Sequence, residues 1–215
     1  MKKRVISFSL WGDNPDYTIG AIRNAQLAPK IYPGWETWFY VSNSVRDDVV
    51  RELEKESFRV IRFKEQPGSD GMFERFRPMA DLEEVSMFIS RDCDSRLSDR
   101  EYKAVLEWDE SGKQFHAMRD HMAHGMPVMG GMWGAKTHGI INTRFMYEEL
   151  VKYKAASYND DQKALHSFYL GLSNLFHEND SLGRFNGKEF PPHESMEFGS
   201  FVGERITFED KVGRV

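Results

Sequence analysis

Short apolar runs of strand length alternate with helix-length amphipathic stretches through the first half of this chain, and few folds accept that order. "RVISFSLWG" (4–12) is a β-rich apolar run that meets a Gly-Asp-Asn-Pro breaker, which predicts a first, central strand. "DYTIGAIRNAQLAPKIYPG" then places apolar residues at helical spacing, and "ETWFYVS" (36–42) is strand-like again. Ser44 with Asp47 three residues on has the form of a capping box opening the helix "VRDDVVRELEKES", followed by the strand "FRVIRF" (58–63). "FERFRPMADL" reads as a helix and "EVSMFIS" (84–90) as a fourth strand, after which Ser98 and Glu101 form a second capping box for "DREYKAVLEWDES". This order predicts an α/β fold with a mainly parallel sheet covered on both faces, whose ligands sit at the carboxyl ends of the strands.

The second half reads differently. "KQFHAMRDHMAHGMPVMGGMWGAKTHG" is rich in Gly, Met and His without periodicity and reads as site loop and short strand. "RFMYEELVKYK" and "DDQKALHSFYLGLSNLF" read as helices, before a Pro/Gly/Phe-rich tail from Gly183. The 215 residues, 40% hydrophobic with sixteen Phe and five Trp, supply one large core, and no repeat or linker divides them, so residues 1–215 are taken as one domain. A net charge of −5 supplies no basic footprint for nucleic acid, while local arginines can still hold a small phosphorylated ligand. One cysteine, Cys93, excludes an internal disulfide and a Cys-based zinc cage and suits a reducing, cytoplasmic setting. No run approaches the roughly 20 apolar residues of a membrane span. The last residues, "EDKVGRV", are compatible with one domain of a longer multidomain chain.

Within "MFISRDCDSRL" (87–97) a buried-strand pattern ends in Asp92-Cys93-Asp94, between Arg91 and Arg96. Residues two apart on an extended chain project to the same side. Two carboxylates at about 4 Å repel by roughly 4 kcal/mol at an effective dielectric of 20, a cost that a divalent cation reverses. Oxygen-only donors suit Mg²⁺ or Mn²⁺, which fill their remaining positions with water and substrate phosphate. The plain alternative is that Asp92 and Asp94 merely end a strand, where Asp is common.

Through "ISFSLWG", "RFRP", "FISRDCDSR", "MRDH", "GGMWG" and "DDQ", in that order, the chain resembles the GT-A glycosyltransferases with a DXD motif, and is similar to the small glycosyltransferase domain of large algal DNA viruses and of some bacterial proteins. The resemblance spans most of the chain. It implies a single-domain GT-A fold, a UDP-sugar donor, and Mn²⁺ (or Mg²⁺) held by Asp92 and Asp94. It further implies transfer of a hexose or deoxyhexose to a hydroxyl of a glycan or glycoprotein acceptor, in capsid or surface glycan synthesis, and for a viral protein the cytoplasm is the host's.

Under that resemblance, Ser7, Phe8, Ser9, Leu10, Trp11 and Gly12, ending the first strand, hold the base and ribose through backbone groups and small polar side chains. Arg75, Arg77 and Arg91 offer forked donors, at least one of them for the donor's phosphates. Arg119, Asp120 and His121 wall the sugar site. Gly131 permits close backbone approach and Trp133 offers a flat face for a sugar ring. Asp161, ahead of Asp160, is the acidic residue facing donor sugar and acceptor, with Asp120 as another base. Read without the resemblance, each has a structural explanation: a helix N-terminus for Asp160 and Asp161, a solvated helix face for Arg75 and Arg77, a core anchor for Trp133.

No H-E-x-x-H accompanies His116, His121 and His124, so zinc is disfavoured, and "GAK" (134–136) is not a phosphate loop. His177 and His193 leave a third metal ligand open. The rival enzyme is a nucleotidyltransferase or other Mg²⁺-dependent phosphoryl enzyme using the same carboxylates. The non-enzymatic alternative is a nucleotide- or glycan-binding module.

Overall fold

A computed structural model describes residues 2–64, 70–153, 159–185, 187–192 and 199–207. The strands are β1 (Lys3–Leu10), β2 (Glu36–Ser42), β3 (Arg59–Phe63), β4 (Val85–Arg91), β5 (Phe115–Arg119), β6 (Met132–Lys136) and β7 (Phe176–Asp180). The helices are α1 (Pro15–Ile31), α2 (Asp47–Glu56), α3 (Asp99–Glu110), α4 (Thr143–Leu150) and α5 (Asp160–Leu172), and a 3₁₀ segment, Asp70–Ala80, precedes β4. All seven strands form one sheet in the order β3-β2-β1-β4-β6-β5-β7. Only β6 runs against its neighbours, pairing antiparallel with both β4 and β5.

Each face of the sheet carries its own core, because alternate residues of a strand face opposite ways. From β1, Ile6, Phe8 and Leu10 pack with Ala21, Ala25 and Ala28 of α1, Leu53 of α2 and Trp108 of α3. Val5 faces the other way, toward Phe76 of the 3₁₀ segment, Phe88 of β4, Trp133 of β6 and Leu150 of α4. β1 pairs with β2 on one side and β4 on the other, so successive connections leave it in opposite directions. A crevice opens at the carboxyl ends of strands where this reversal occurs. Phe8 is the partner of Arg91 in the β1–β4 register, which sets Asp92 beside Ser9 at that crevice.

The α/β architecture and the first four strands follow the sequence pattern, with differences that have local causes. The Ser44 capping box does not form: Ser44 Oγ accepts from the Gly12 amide at 2.9 Å, and α2 starts instead after Arg46. Ser98 does cap α3, accepting from the Glu101 amide at 3.3 Å. "FERFRPMADL" lies in the 3₁₀ segment rather than an α-helix. Pro78 has no N–H to give, and the Arg75 amide donates to Ser9 Oγ at 2.7 Å, so the i to i−4 ladder is interrupted. The last helix stops at Leu172, short of Phe176, and β7 follows as a strand whose sequence "FHEND" lacks apolar alternation.

At the amino ends of the parallel strands, Glu84 accepts from Arg59 of β3 at 3.0 Å and pairs with Lys3 of β1 at 2.8 Å. Those hydrogen bonds, from Arg59 first and Lys3 next, hold its carboxyl down to about 2. A carboxylate depressed in the folded state adds stability that is complete above the unfolded value near 4.5 and is lost as pH falls toward 2. Glu84→Gln is therefore expected to lower stability near pH 7 by less than about 1 kcal/mol, since the site is partly open to water. Its urea midpoint should also fall less steeply than the wild type's between pH 4.5 and 2.

Candidate active site

Contacts from Asn24, Arg96 and Cys93 fix the turn of the loop after β4 that carries the two carboxylates. Asn24 of α1 donates to the Ser95 carbonyl at 2.9 Å and accepts from the Leu97 amide at 3.1 Å. Arg96 Nη1 donates to the carbonyls of Ser95, at 2.7 Å, and Cys93, at 3.2 Å. A Cβ on Gly20 would overlap the Cys93 carbonyl oxygen, so glycine there lets α1 close on the loop. Cys93 Sγ donates to the Ser9 carbonyl at 3.3 Å, and burial pushes its thiol well above the usual range, which makes it an inert tie between β4 and β1. Cys93 thus turns toward β1, away from the crevice on which Asp92 and Asp94 lie.

Asp92 is half-exposed and Asp94 largely buried. Burial, and then the charge of Asp92, push the Asp94 carboxyl up to about 6. Arg75, itself buried, reaches between β4 and α5: Nη1 pairs with Asp92 Oδ1, and Nη2 with Asp161 Oδ2 at 2.7 Å. Burial opposes the Arg75 charge, but the two carboxylates outweigh it and raise its pKa. Burial likewise raises Asp161, with Arg75 drawing it back. The loop before β6 closes this side, held by Ser90 Oγ donating to the Gly130 carbonyl at 2.7 Å. A Cβ on Gly130 would overlap the Asp161 carboxylate, and one on Gly131 would overlap that of Asp92.

Two neighbouring carboxylates that repel one another fit a divalent cation. Among the described residues no group of three or more His, Cys, Asp or Glu is arranged to hold a metal, so the remaining positions would fall to water and a bound ligand. His177 lies beside Glu107 and His116 and joins no such group; His193 falls outside the described residues.

The other expected site residues divide between this crevice and the protein interior. Gly12, at φ +70°, and the partly buried Trp11 lead out of β1 at the crevice, and Trp11 lies against Gly71. Ser7 is buried, Ser9 is bound to the Arg75 amide, and the Phe8 and Leu10 side chains are core, Phe8 stacking on Phe39 at 4.6 Å. Arg91 is corrected: side-chain alternation sends it to the face opposite Asp92, where it is buried with Nε on Glu101 at 3.0 Å. Trp133 is corrected too. Its ring is 0% exposed, edge-on to Phe76 and Phe88 at 5.2 and 5.3 Å, and offers no face to a sugar.

Arg77 pairs with Glu74 and lies 5.8 Å from the Tyr40 ring. Arg119 is buried against Glu178, Asp180 and the Pro127 carbonyl. Asp120 accepts from Arg100 at 2.7 Å, from the Val202 amide at 2.9 Å and from Ser181 Oγ. His121 is exposed and stacks on Phe201 at 4.0 Å, and Asp160 pairs with Lys163 at 2.7 Å. Asn24, Gly20 and Arg96, which shape the loop, carry no motif in the sequence, because each acts through a contact that only the fold creates.

No protein-family model matches the sequence, and no curated protein matches it significantly. Solved structures do. Glucosyl-3-phosphoglycerate synthase from Mycobacterium tuberculosis, in complex with Mn²⁺, UDP-glucose and phosphoglyceric acid, superposes with a TM-score of 0.54 at 13% identity, covering 90% of this chain and 73% of that one. Mouse xyloside xylosyltransferase 1 gives 0.54 at 14%, covering 84% and 86%. The chain has the GT-A fold. A 4-diphosphocytidyl-2C-methyl-D-erythritol synthase from Anaerococcus prevotii also superposes, at 0.57 and 10% identity, over 98% of this chain and 93% of that one. Identities this low carry the fold and not the reaction.

Gly131→Ala tests the closeness of the β6 loop to Asp92. The added methyl forces the carboxylate aside, and Mn²⁺ affinity is expected to fall by about tenfold to a hundredfold, as when a partner that orients a ligand is lost. The far-UV circular dichroism spectrum should be unchanged.

Proposed function

We propose that this protein is a metal-dependent glycosyltransferase that moves a hexose or deoxyhexose from a UDP-sugar to a hydroxyl of a glycan or glycoprotein acceptor. The observation that carries this reading is the Asp92 and Asp94 pair at the β1/β4 reversal of a GT-A sheet. Asp92 and Asp94 would hold Mn²⁺ (or Mg²⁺), which when bound supplies Lewis acidity toward the departing diphosphate. Arg75 fixes the rotamer of Asp92, Gly131 leaves room for it and Gly130 for Asp161, and the Trp11-Gly12 turn is where base and ribose would lie. The order of motifs supports a role in capsid or surface glycan synthesis. A single cysteine in the sequence supports a cytoplasmic setting, the host's for a viral protein. Among the described residues no helix is long and apolar enough to cross a membrane.

The carboxylates nominated as bases are already engaged. Asp161 is ion-paired with Arg75, Asp120 takes three hydrogen bonds, and Asp160 pairs with Lys163. With none poised to accept the acceptor's proton, we read the transfer as retaining, the departing diphosphate taking that proton. Proton NMR of the product should then show the donor's anomeric configuration; an inverted product would return Asp161 or Asp120 to the role of base.

A nucleotidyltransferase is the second reading, favoured by the likeness to the Anaerococcus synthase. It calls for basic residues in the loop after the first strand, and residues 11–15, "WGDNP", contain none. Calorimetry decides among the readings. UDP is expected to bind with Mn²⁺ and to lose at least about a hundredfold in affinity in Asp92→Asn and Asp94→Asn, while a panel of UDP-sugars releases UDP slowly from the true donor. Equal binding without metal and no UDP release would favour a non-catalytic binding module, and release of pyrophosphate from a nucleoside triphosphate would favour the nucleotidyltransferase.

A further inference from the structure

Residues 199–207 cross the carboxyl ends of the strands as a strap with four separate footholds. Phe201 lies flat on His121 at 4.0 Å and meets the edge of His124 at 5.6 Å. The Val202 amide donates to Asp120 at 2.9 Å, and its side chain is buried with Met118, Met132 and Phe190. Gly203, at φ +82°, sits against the Met132 side chain, where a Cβ would overlap the sulfur. The Ile206 amide donates to the Asp94 carbonyl at 2.8 Å. The strap therefore runs from the end of β5 and the start of β6 to the carboxylate loop, its backbone amides bonded at both places.

One side chain on the strap, set 5.8 Å from the Tyr17 ring, is open to solvent beside the carboxylate pair. Arg205 pairs with Asp16, in the first turn of α1, at 2.7 Å, and its Nε stands 3.7 Å from Asp94 Oδ2. Its side chain remains 54% exposed. The cations already inside the site are committed: Arg75 is buried between two carboxylates, and Arg96 is buried on backbone carbonyls. Arg205 alone among these three combines position beside the carboxylate pair with the solvent exposure needed to change partners.

We propose that Arg205 is an anion-binding residue of this site, exchanging its contact with Asp94 for phosphate oxygens of a nucleoside diphosphate. This inference rests on the nucleotide-sugar reading and adds to it a residue that no sequence motif marks. Two charges meet at Asp94: a guanidinium in the ligand-free protein, and a divalent cation in the loaded one. A cation on Asp94 repels Arg205, and the diphosphate that arrives with it supplies a new partner, for which a forked guanidinium is suited. The strap itself keeps its place through Phe201, Val202 and the Ile206 amide, so the side chain moves without the backbone.

The test is calorimetry on the full chain, wild type against Arg205→Ala and Arg205→Lys, with Mn²⁺ alone, uridine, and UDP with Mn²⁺ as titrants. Arg205→Ala is expected to weaken UDP binding by about tenfold to a hundredfold, the weight of a charge-assisted hydrogen bond. It should leave uridine binding unchanged and Mn²⁺ binding no weaker, since the arginine repels the ion. Arg205→Lys should recover part of the UDP affinity, because its charge remains. Unchanged UDP binding in Arg205→Ala, or an equal loss for UDP and uridine, overturns the assignment, the second outcome marking a strap that merely supports the site. A wild type that binds no UDP at all overturns the nucleotide-sugar reading together with it.

Discussion

The candidate site is organised around one buried guanidinium. Arg75 stands between Asp92 at the end of β4 and Asp161 at the start of α5, and its own amide is tied to Ser9 of β1. One residue thus ties three elements together, β4 and α5 through its charge and β1 through its amide. Removing one member of such a buried group typically costs about 3 to 5 kcal/mol, because it strands the opposite charge away from water. That penalty specifies geometry more than it adds stability: Asp161 cannot turn outward without abandoning Arg75, and Asp92 keeps one oxygen inward while the carboxylate as a whole stays half-exposed. The 3₁₀ form of residues 70–80 belongs to the same arrangement, since an α-helix would take back the Arg75 amide that Ser9 holds.

Around this centre, the loop of Asp92 and Asp94 works by dividing polar groups between inside and outside. Its carbonyls turn toward Asn24 and Arg96, its cysteine turns toward β1, and its carboxylates are left for the crevice. Arg96 is an unusual choice for the buried side. Its Nε and Nη2 meet no partner among the described residues, and burial lowers its pKa. Its positive charge near Asp94 offsets part of the repulsion that Asp94 meets from Asp92. The strap of residues 199–207 then closes the same crevice from the far end of the chain, bringing Arg205 to a loop more than a hundred positions away.

Much of the fold was legible because its signals are local. Strand-length apolar runs, the Ser98 cap and the break after Leu10 depend on neighbours a few residues away, and they predict the parallel core of the sheet. The misses share a different character. Ser44 looked like a cap, but its hydroxyl serves Gly12 across the sheet. β7 carries one buried apolar residue in "FHEND" followed by polar ones, and it becomes a strand only because β5 offers it an open edge. Arg91 and Trp133 looked like ligand groups from their company in the chain; the pleat of β4 and the crowding of Phe76 and Phe88 turn both into interior residues.

By itself, the sequence determined the α/β class, the place of the carboxylate pair at a strand end, and the lack of a second cysteine among these residues with which Cys93 could pair. Those follow from periodicity, spacing and residue count, which are properties of a chain whatever its partners. Only the tertiary structure decided which arginine serves which carboxylate, which aromatic rings are buried, and that residues 199–207 lie over the crevice. Each of these is a contact between segments far apart in the chain, and a side chain's role there depends on what the fold sets opposite it.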